Sequence, residues 1–272
     1  MNSRMQGFER DVMAAAWKGR SVWALHLAVN ALLIVTFFYW TQIPEATGWQ
    51  FAGSMLSGLL IVFVALWLHC GTLDYFAEHF ASRESSVQRS LRSTVSRVPA
   101  FLVWAVVFGF GFWVLGQLWD YTEQAGGWAR HVLPEFLRHM VTPRLAFSLT
   151  SGVVAILFFG LWPIVFLPVG AQVAARSFRG FFEAAALRPV REWRFWVFYI
   201  VCFVGGIYVP YRLAWMTPIR PSTLHHEMVS VVARFGFGYV LLVTAWLILC
   251  AAIQRASKRQ IDNDPDPASP KD

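Results

Sequence analysis

The chain has 272 residues, of which 57% are hydrophobic and only 14% charged, with 14 Trp and 24 Phe among them. Soluble domains carry about a quarter charged residues, so a mean hydropathy of +0.48 excludes an ordinary water-soluble fold and asks for an apolar solvent. The net charge of +7 is spread over several segments rather than gathered into one patch, which argues against nucleic acid and for anionic lipid headgroups as the partner.

Six continuously apolar runs follow one another: Val22 to Trp40, Phe51 to Cys70, Pro99 to Trp119, Leu145 to Val169, Phe195 to Trp215 and Val229 to Ala251. Each matches the roughly 20 helical residues that a hydrocarbon core of about 30 Å requires. None alternates as a barrel strand of about ten residues would. The expected fold is therefore all-α, a polytopic membrane helix bundle of six transmembrane helices with short amphipathic interfacial helices. It forms a single domain over residues 1–260. Many of the Trp lie near the ends of the runs, where an amphipathic ring sits well at the headgroup level.

Orientation follows from the basic residues. Segments 1–21, 71–98, 170–194 and 252–272 hold 17 of the 23 Lys and Arg, and the loop TQIPEATGWQ between the first two runs holds none. Short loops rich in Lys and Arg stay in the cytoplasm, so both termini are expected there, in a plasma (inner) membrane. The first apolar run starts after about twenty residues and is long enough to span, so it reads as a retained helix rather than a cleaved leader. Cys70, Cys202 and Cys250 fall within or at the inner ends of runs and are expected as free thiols. Residues 261–272, acidic and Pro-rich, are expected to form a disordered cytoplasmic tail.

Before the first, third and fifth runs lie FERDVMAAAWKGR, SSVQRSLRSTVSR and RGFFEAAALRPVR, each with three Lys or Arg and each ending in Arg. In the second, Val87, Leu91, Val95 and Val98 recur at helical spacing opposite Gln88, Arg89, Arg92, Ser93 and Ser96, the pattern of a basic amphipathic helix in the interface. Arg89, Arg92, Arg97, Arg188 and Arg191 are accordingly the candidates for lipid headgroup contact. The layout allows a threefold internal repeat of interfacial helix, span, loop and span, with chance as the alternative.

The stretch ARSFRGFFEAAALRPVREWRFWVFYIVCFVGGIYVP resembles the amphipathic helix plus span of a bacterial six-span family. That family includes the membrane domain preceding some glycerophosphodiester phosphodiesterases and stand-alone proteins of unknown role. The resemblance implies the fold and no reaction, because the soluble phosphodiesterase domain has no counterpart in this chain.

Sites of chemistry are few. No Asp or Glu lies in the centre of a run, which weighs against proton relays and ion-coupled pumps. His26 and Asn30, four apart on one helical face, suit interhelical hydrogen bonding or a polar functional spot. Gly53 with Ser57, Ser54 with Gly58, and Ser148 with Gly152 have the small-xxx-small spacing of close helix packing. Pro163, Pro168 and Gly205-Gly206 mark either kinks or the discontinuous helices of transporters. A serine in the fourth of six spans is also the rhomboid-protease layout, but Ser148 and Ser151 lack the Gly-x-Ser-x motif and the sixth run has no His to serve as base. In HVLPEFLRHM, His131, Glu135 and His139 at i, i+4 and i+8 are candidate metal ligands, and His225, His226 and Glu227 lie in another loop. The competing reading makes the same segment an interfacial helix with Leu133, Phe136, Leu137 and Met140 as its apolar stripe. No cofactor motif is present and none is expected. Membrane organisation or interaction, with anionic lipid, a protein partner or a second copy of the chain, is the leading expectation. Transport and a metal-dependent enzyme are the alternatives.

Overall fold

A computed structural model describes the backbone of residues 2–81, 85–216 and 224–263, and the side chains of 7–81, 85–216 and 225–258. The chain starts with α1 (Asn2–Lys18), and the first span, α2 (Arg20–Trp40), follows at once. A loop leads to α3 (Gly48–Phe80), whose start is fixed by a capping box: Gln50 N–H donates to Thr47 Oγ1 and Thr47 N–H to Gln50 Oε1. Next come α4 (Val87–Thr94), one 3-10 turn, and the third span α5 (Val98–Asp120). Two short helices, α6 (Thr122–Val132) and α7 (Glu135–Met140), connect it to the fourth span, made of α8 (Pro143–Ala155), a π-helical segment Ile156–Leu161, and α9 (Trp162–Arg176). Two 3-10 segments, Ser177–Phe182 and Ala184–Arg191, then lead to the fifth span: α10 (Trp193–Phe203), a second π segment Val204–Tyr208, and α11 (Val209–Ala214). The last span is α12 (Leu224–Asn263). It reaches three residues into the stretch expected to be disordered; residues 264–272 lie outside the described residues.

Six of these helical stretches are long and apolar enough to cross a membrane, and no strand occurs among the described residues. The protein is an all-α multi-pass membrane protein. Leu32, Phe38, Leu56, Val106 and Phe110 stand exposed on the span surfaces, as side chains that face lipid do. The helix α12 has 40 residues, about 60 Å at 1.5 Å per residue, so it extends well past the hydrocarbon layer.

Packing is uneven along the spans. The buried core gathers at the face that carries α1 and the end of α12, here the terminal face, where Phe8, Val12 and Ala15 of α1 meet Cys70, Leu73 and Phe76 of α3 and Leu247 to Ile253 of α12. The spacing i, i+4, i+7 in α1 puts its apolar side chains on one stripe. In α12, Cys250, Ala251 and Ala252 are fully buried, because small side chains let neighbours approach from every side.

The third and fourth spans are joined by a reciprocal latch that the sequence reading missed. Trp162 donates its indole N–H to Phe108 O at 3.0 Å and lies over Gly111; Trp104 donates to Phe166 O at 2.9 Å and lies over Gly170. A Cβ built on Gly111 would come within 1.8 Å of the Trp162 ring, and one on Gly170 within 2.6 Å of Trp104. Of the three small-xxx-small pairs, Ser54/Gly58 is used in the same manner. Trp40 stacks on Gly58 and donates to Ser54 O at 2.7 Å. Among the described residues Gly53 and Gly152 meet nothing within 4 Å, so neither glycine seats a neighbouring helix there. Trp23, Trp67 and Trp196 also donate to main-chain carbonyls, so the expected headgroup belt describes only some of the tryptophans.

Neither the fourth nor the fifth span is discontinuous; each is widened by a π segment. Pro163 has no N–H for the carbonyl of Phe159 four residues earlier, and the Tyr199 hydroxyl of α10 donates to that oxygen instead. Gly205 and Gly206 lie within the second π segment, where Gly206 faces Ala245 so closely that an added Cβ would come within 2.4 Å of the Ala245 methyl.

Candidate functional site

The terminal face is tied together by ion pairs. Arg97 Nη1 is 2.7 Å from Asp74 Oδ1 and also donates to Ala174 O at 3.0 Å, while Ser93 Oγ donates to Asp74 Oδ2 at 3.0 Å. This group joins α3, the start of α5 and α9. Asp74 escaped the sequence reading because the second run was ended at Cys70, whereas α3 continues to Phe80. Arg255 pairs with Asp11 at 3.0 Å, Arg176 with Glu183 at 2.7 Å, and the buried Arg194 lies 3.7 Å from Glu9 and over the rings of Phe8 and Trp193. Lys258 donates to Phe80 O in the last turn of α3, where a cation also suits the helix dipole.

The five arginines expected at headgroups thus divide. Arg97 is spent on Asp74 and Ala174. Arg89 and Arg92 stand exposed on α4, Arg191 is exposed and Arg188 half-buried on the second 3-10 segment. Among the described residues no carboxylate pairs with Arg92, Arg188 or Arg191. All three basic blocks precede a span as the repeat pattern requires, but their geometry differs. The first is α-helical and buries Phe8 and Val12. The second is helical with Leu91 set on Gly71, and Val95 of its apolar stripe stays exposed. The third, broken at the extended Glu183, turns as two 3-10 segments, with Pro189 inside the second.

Within the spans, His26 forms the interhelical bond its spacing suggested. Thr72 Oγ1 donates to Leu68 O at 2.8 Å, so it accepts from His26 Nε2 at 2.6 Å, which leaves Nδ1 to accept from Asn30 Nδ2 at 3.2 Å. Tyr239 of α12 donates to Leu27 O at 2.7 Å and closes the contact of α2 with α12. Thr72→Val removes the acceptor, and the expected cost is about 1 kcal/mol, within the range of hydrogen bonds between spans. Thermal denaturation in detergent measures it; an unchanged midpoint would mean that the bond contributes nothing.

His26, Asn30 and His69 line one side of a cavity of about 470 Å3. Trp246 and Leu242 line both that cavity and an apolar one of about 340 Å3, which both π segments reach through Phe159, Gly206 and Ile207. The Trp246 indole N–H is buried without a partner among the described residues. His69 and Trp246 were not singled out from sequence, because a lone His or Trp in an apolar run gives no spacing signal.

On the opposite face, His131, Glu135 and His139 are not brought together. The single helix that i, i+4, i+8 spacing presupposes is interrupted: α6 ends at Val132, Leu133 is extended at φ −63°, ψ 143°, and Pro134 precedes α7. Pro disfavours the helical conformation of its predecessor and has no N–H to continue the ladder. Among the described residues no three His, Cys, Asp or Glu side chains gather closely enough to hold a metal ion. The rings of His225 and His226 lie 6.2 Å apart at the start of α12.

No family model, no curated protein and no solved structure matches this chain.

Proposed function

We propose that the protein is a non-enzymatic membrane-organising protein of a bacterial plasma membrane, with both termini cytoplasmic and anionic headgroups held around its terminal face. The observation that carries this reading is the division of the basic residues there: Arg97, Arg176, Arg194 and Arg255 are neutralised within the bundle, while Arg92, Arg188 and Arg191 at its rim have no carboxylate among the described residues. Each such charge near an anionic surface is worth about 1 kcal/mol before screening. Membership of the six-span family that the sequence resembles is part of the proposal.

Replacing Arg92, Arg188 and Arg191 with Gln leaves 14 of the 17 basic residues of the terminal segments, so orientation is expected to survive. Anionic phosphatidylglycerol is expected to raise the melting temperature of the parent protein over its value in neutral phosphatidylcholine, and to raise that of the triple variant by less than half as much. Equal stabilisation of both would reduce these arginines to topology signals.

A transport or permease role is the second reading, favoured by the two adjoining cavities and the two π segments beside them, a helix irregularity that recurs at functional sites. Among the described residues no Asp or Glu lines either cavity, which would restrict such cargo to an apolar molecule with at most a small polar group.

A further inference from the structure

All four ion pairs among the described residues lie on the terminal face. The opposite face carries only six Lys and Arg in sequence, and three of them, Arg130, Arg138 and Arg144, line one pocket of about 470 Å3 with Glu123, His131 and Phe147. Basic residues on this face run against the charge bias that orients the chain, so their convergence is a feature of the folded protein and not of its insertion.

The pocket is built by close packing. Glu123, Gly127 and Arg130 share one face of α6 at i, i+4 and i+7, and Gly126 lets that helix lie on the backbone of α8. A Cβ at Gly126 would be 3.0 Å from Phe147 N and 3.1 Å from Ala146 C. Thr150 Oγ1 adds a bond to Thr122 O at 2.9 Å. Arg144 and Phe147 of α8 thereby face α6, and α7 closes the third side. Arg138 Nη2 donates to His131 O at 2.9 Å and Leu133 O at 3.1 Å, carbonyls at the end of α6 that the break at Pro134 leaves open, and Arg130 Nε donates to Val141 O at 2.9 Å.

These bonds hold two guanidiniums in place while using a minority of their five donors each. Arg138 Nε is buried with no partner among the described residues. Glu123, the one carboxylate in the lining, makes no ion pair with any of the three arginines among the described residues. Two guanidiniums held in place, with the exposed third of Arg144 beside them, outnumber the single carboxylate of the pocket and form a site for a tetrahedral oxyanion, which takes paired N–H donors from arginine. We propose that this pocket binds a phosphate group at the membrane face opposite the termini, presented either by a lipid headgroup or by a free phosphate compound.

The test uses the full chain in nanodiscs of neutral phosphatidylcholine, titrated by calorimetry with inorganic phosphate and, separately, with dihexanoyl phosphatidic acid. Among the described residues Arg144 makes no side-chain bond to α6 or α7, so Arg144→Gln leaves the packing intact and is expected to weaken binding about tenfold, or ~1.4 kcal/mol. Glu123→Gln removes the opposing charge and is expected to tighten it severalfold, a gain that a misfolded variant would not show. Binding of both probes with these changes supports a site for phosphate as such. Binding of phosphatidic acid alone, again with these changes, assigns the headgroup as the source. No binding of either probe to the parent, or binding that neither variant alters, overturns the proposal.

Discussion

Gly111→Ala is expected to destabilise the protein by about 3 kcal/mol, although a Gly to Ala change inside a helix is ordinarily favourable by up to about 1 kcal/mol. The added methyl would sit 1.8 Å from Trp162 Cζ2, and the ring cannot yield without breaking its bond to Phe108 O. Overpacking of this kind costs about 1–3 kcal/mol, and a hydrogen bond between spans about another 1 kcal/mol. Gly109, two residues away with nothing within 4 Å of a built Cβ, is the control: Gly109→Ala should melt at or above the parent. A second change, Trp162→Leu, opens the seat and should restore part of the loss in the Gly111→Ala background. If Gly111→Ala melts with the parent, the latch does not join the third and fourth spans.

The second large effect is expected at Asp74. Asp74→Asn leaves the Arg97 guanidinium without its counter-charge, and the side chains are 10% and 27% exposed. The cost should fall between the 0–1 kcal/mol of surface pairs and the 3–5 kcal/mol of buried pairs broken on one side, at about 2 kcal/mol. Arg97→Met in the same chain removes the stranded charge and should recover about half of it. The coupling energy of the double-mutant cycle is the measurement; additivity would show that the pair is not a brace.

The spans were legible because lipid imposes one requirement on every residue of a run: continuous apolarity over about 20 residues. Their ends at the terminal face were not legible. The helix α3 continues through Asp74 to Phe80 and α12 through Arg255 to Asn263, and there the helix is held by tertiary partners of its polar side chains rather than by hydropathy. His26 and Asn30 could be found by spacing alone, whereas the acceptor, Thr72, lies 46 residues away. The glycines that seat Trp162 and Trp104 have no short motif, since Gly111 and Gly170 each match a Trp on the other span. The His131, Glu135, His139 pattern misled for a local reason: counting by fours ignored Pro134 in its middle. The three arginines of the opposite face went unread because they come from three separate helices brought together by the seat at Gly126 and by bonds between them.

A headgroup collar at the terminal face requires that this face lie in the cytoplasm. Single cysteines placed at Thr47, in the loop before α3, and at Ser86, before α4, report this directly in intact cells. They are introduced into a chain whose Cys70, Cys202 and Cys250, all buried, give the background. A membrane-impermeant thiol reagent is expected to label the cysteine at Thr47 and to spare the one at Ser86 until the cells are opened. Labelling at Ser86 with protection at Thr47 would contradict the account.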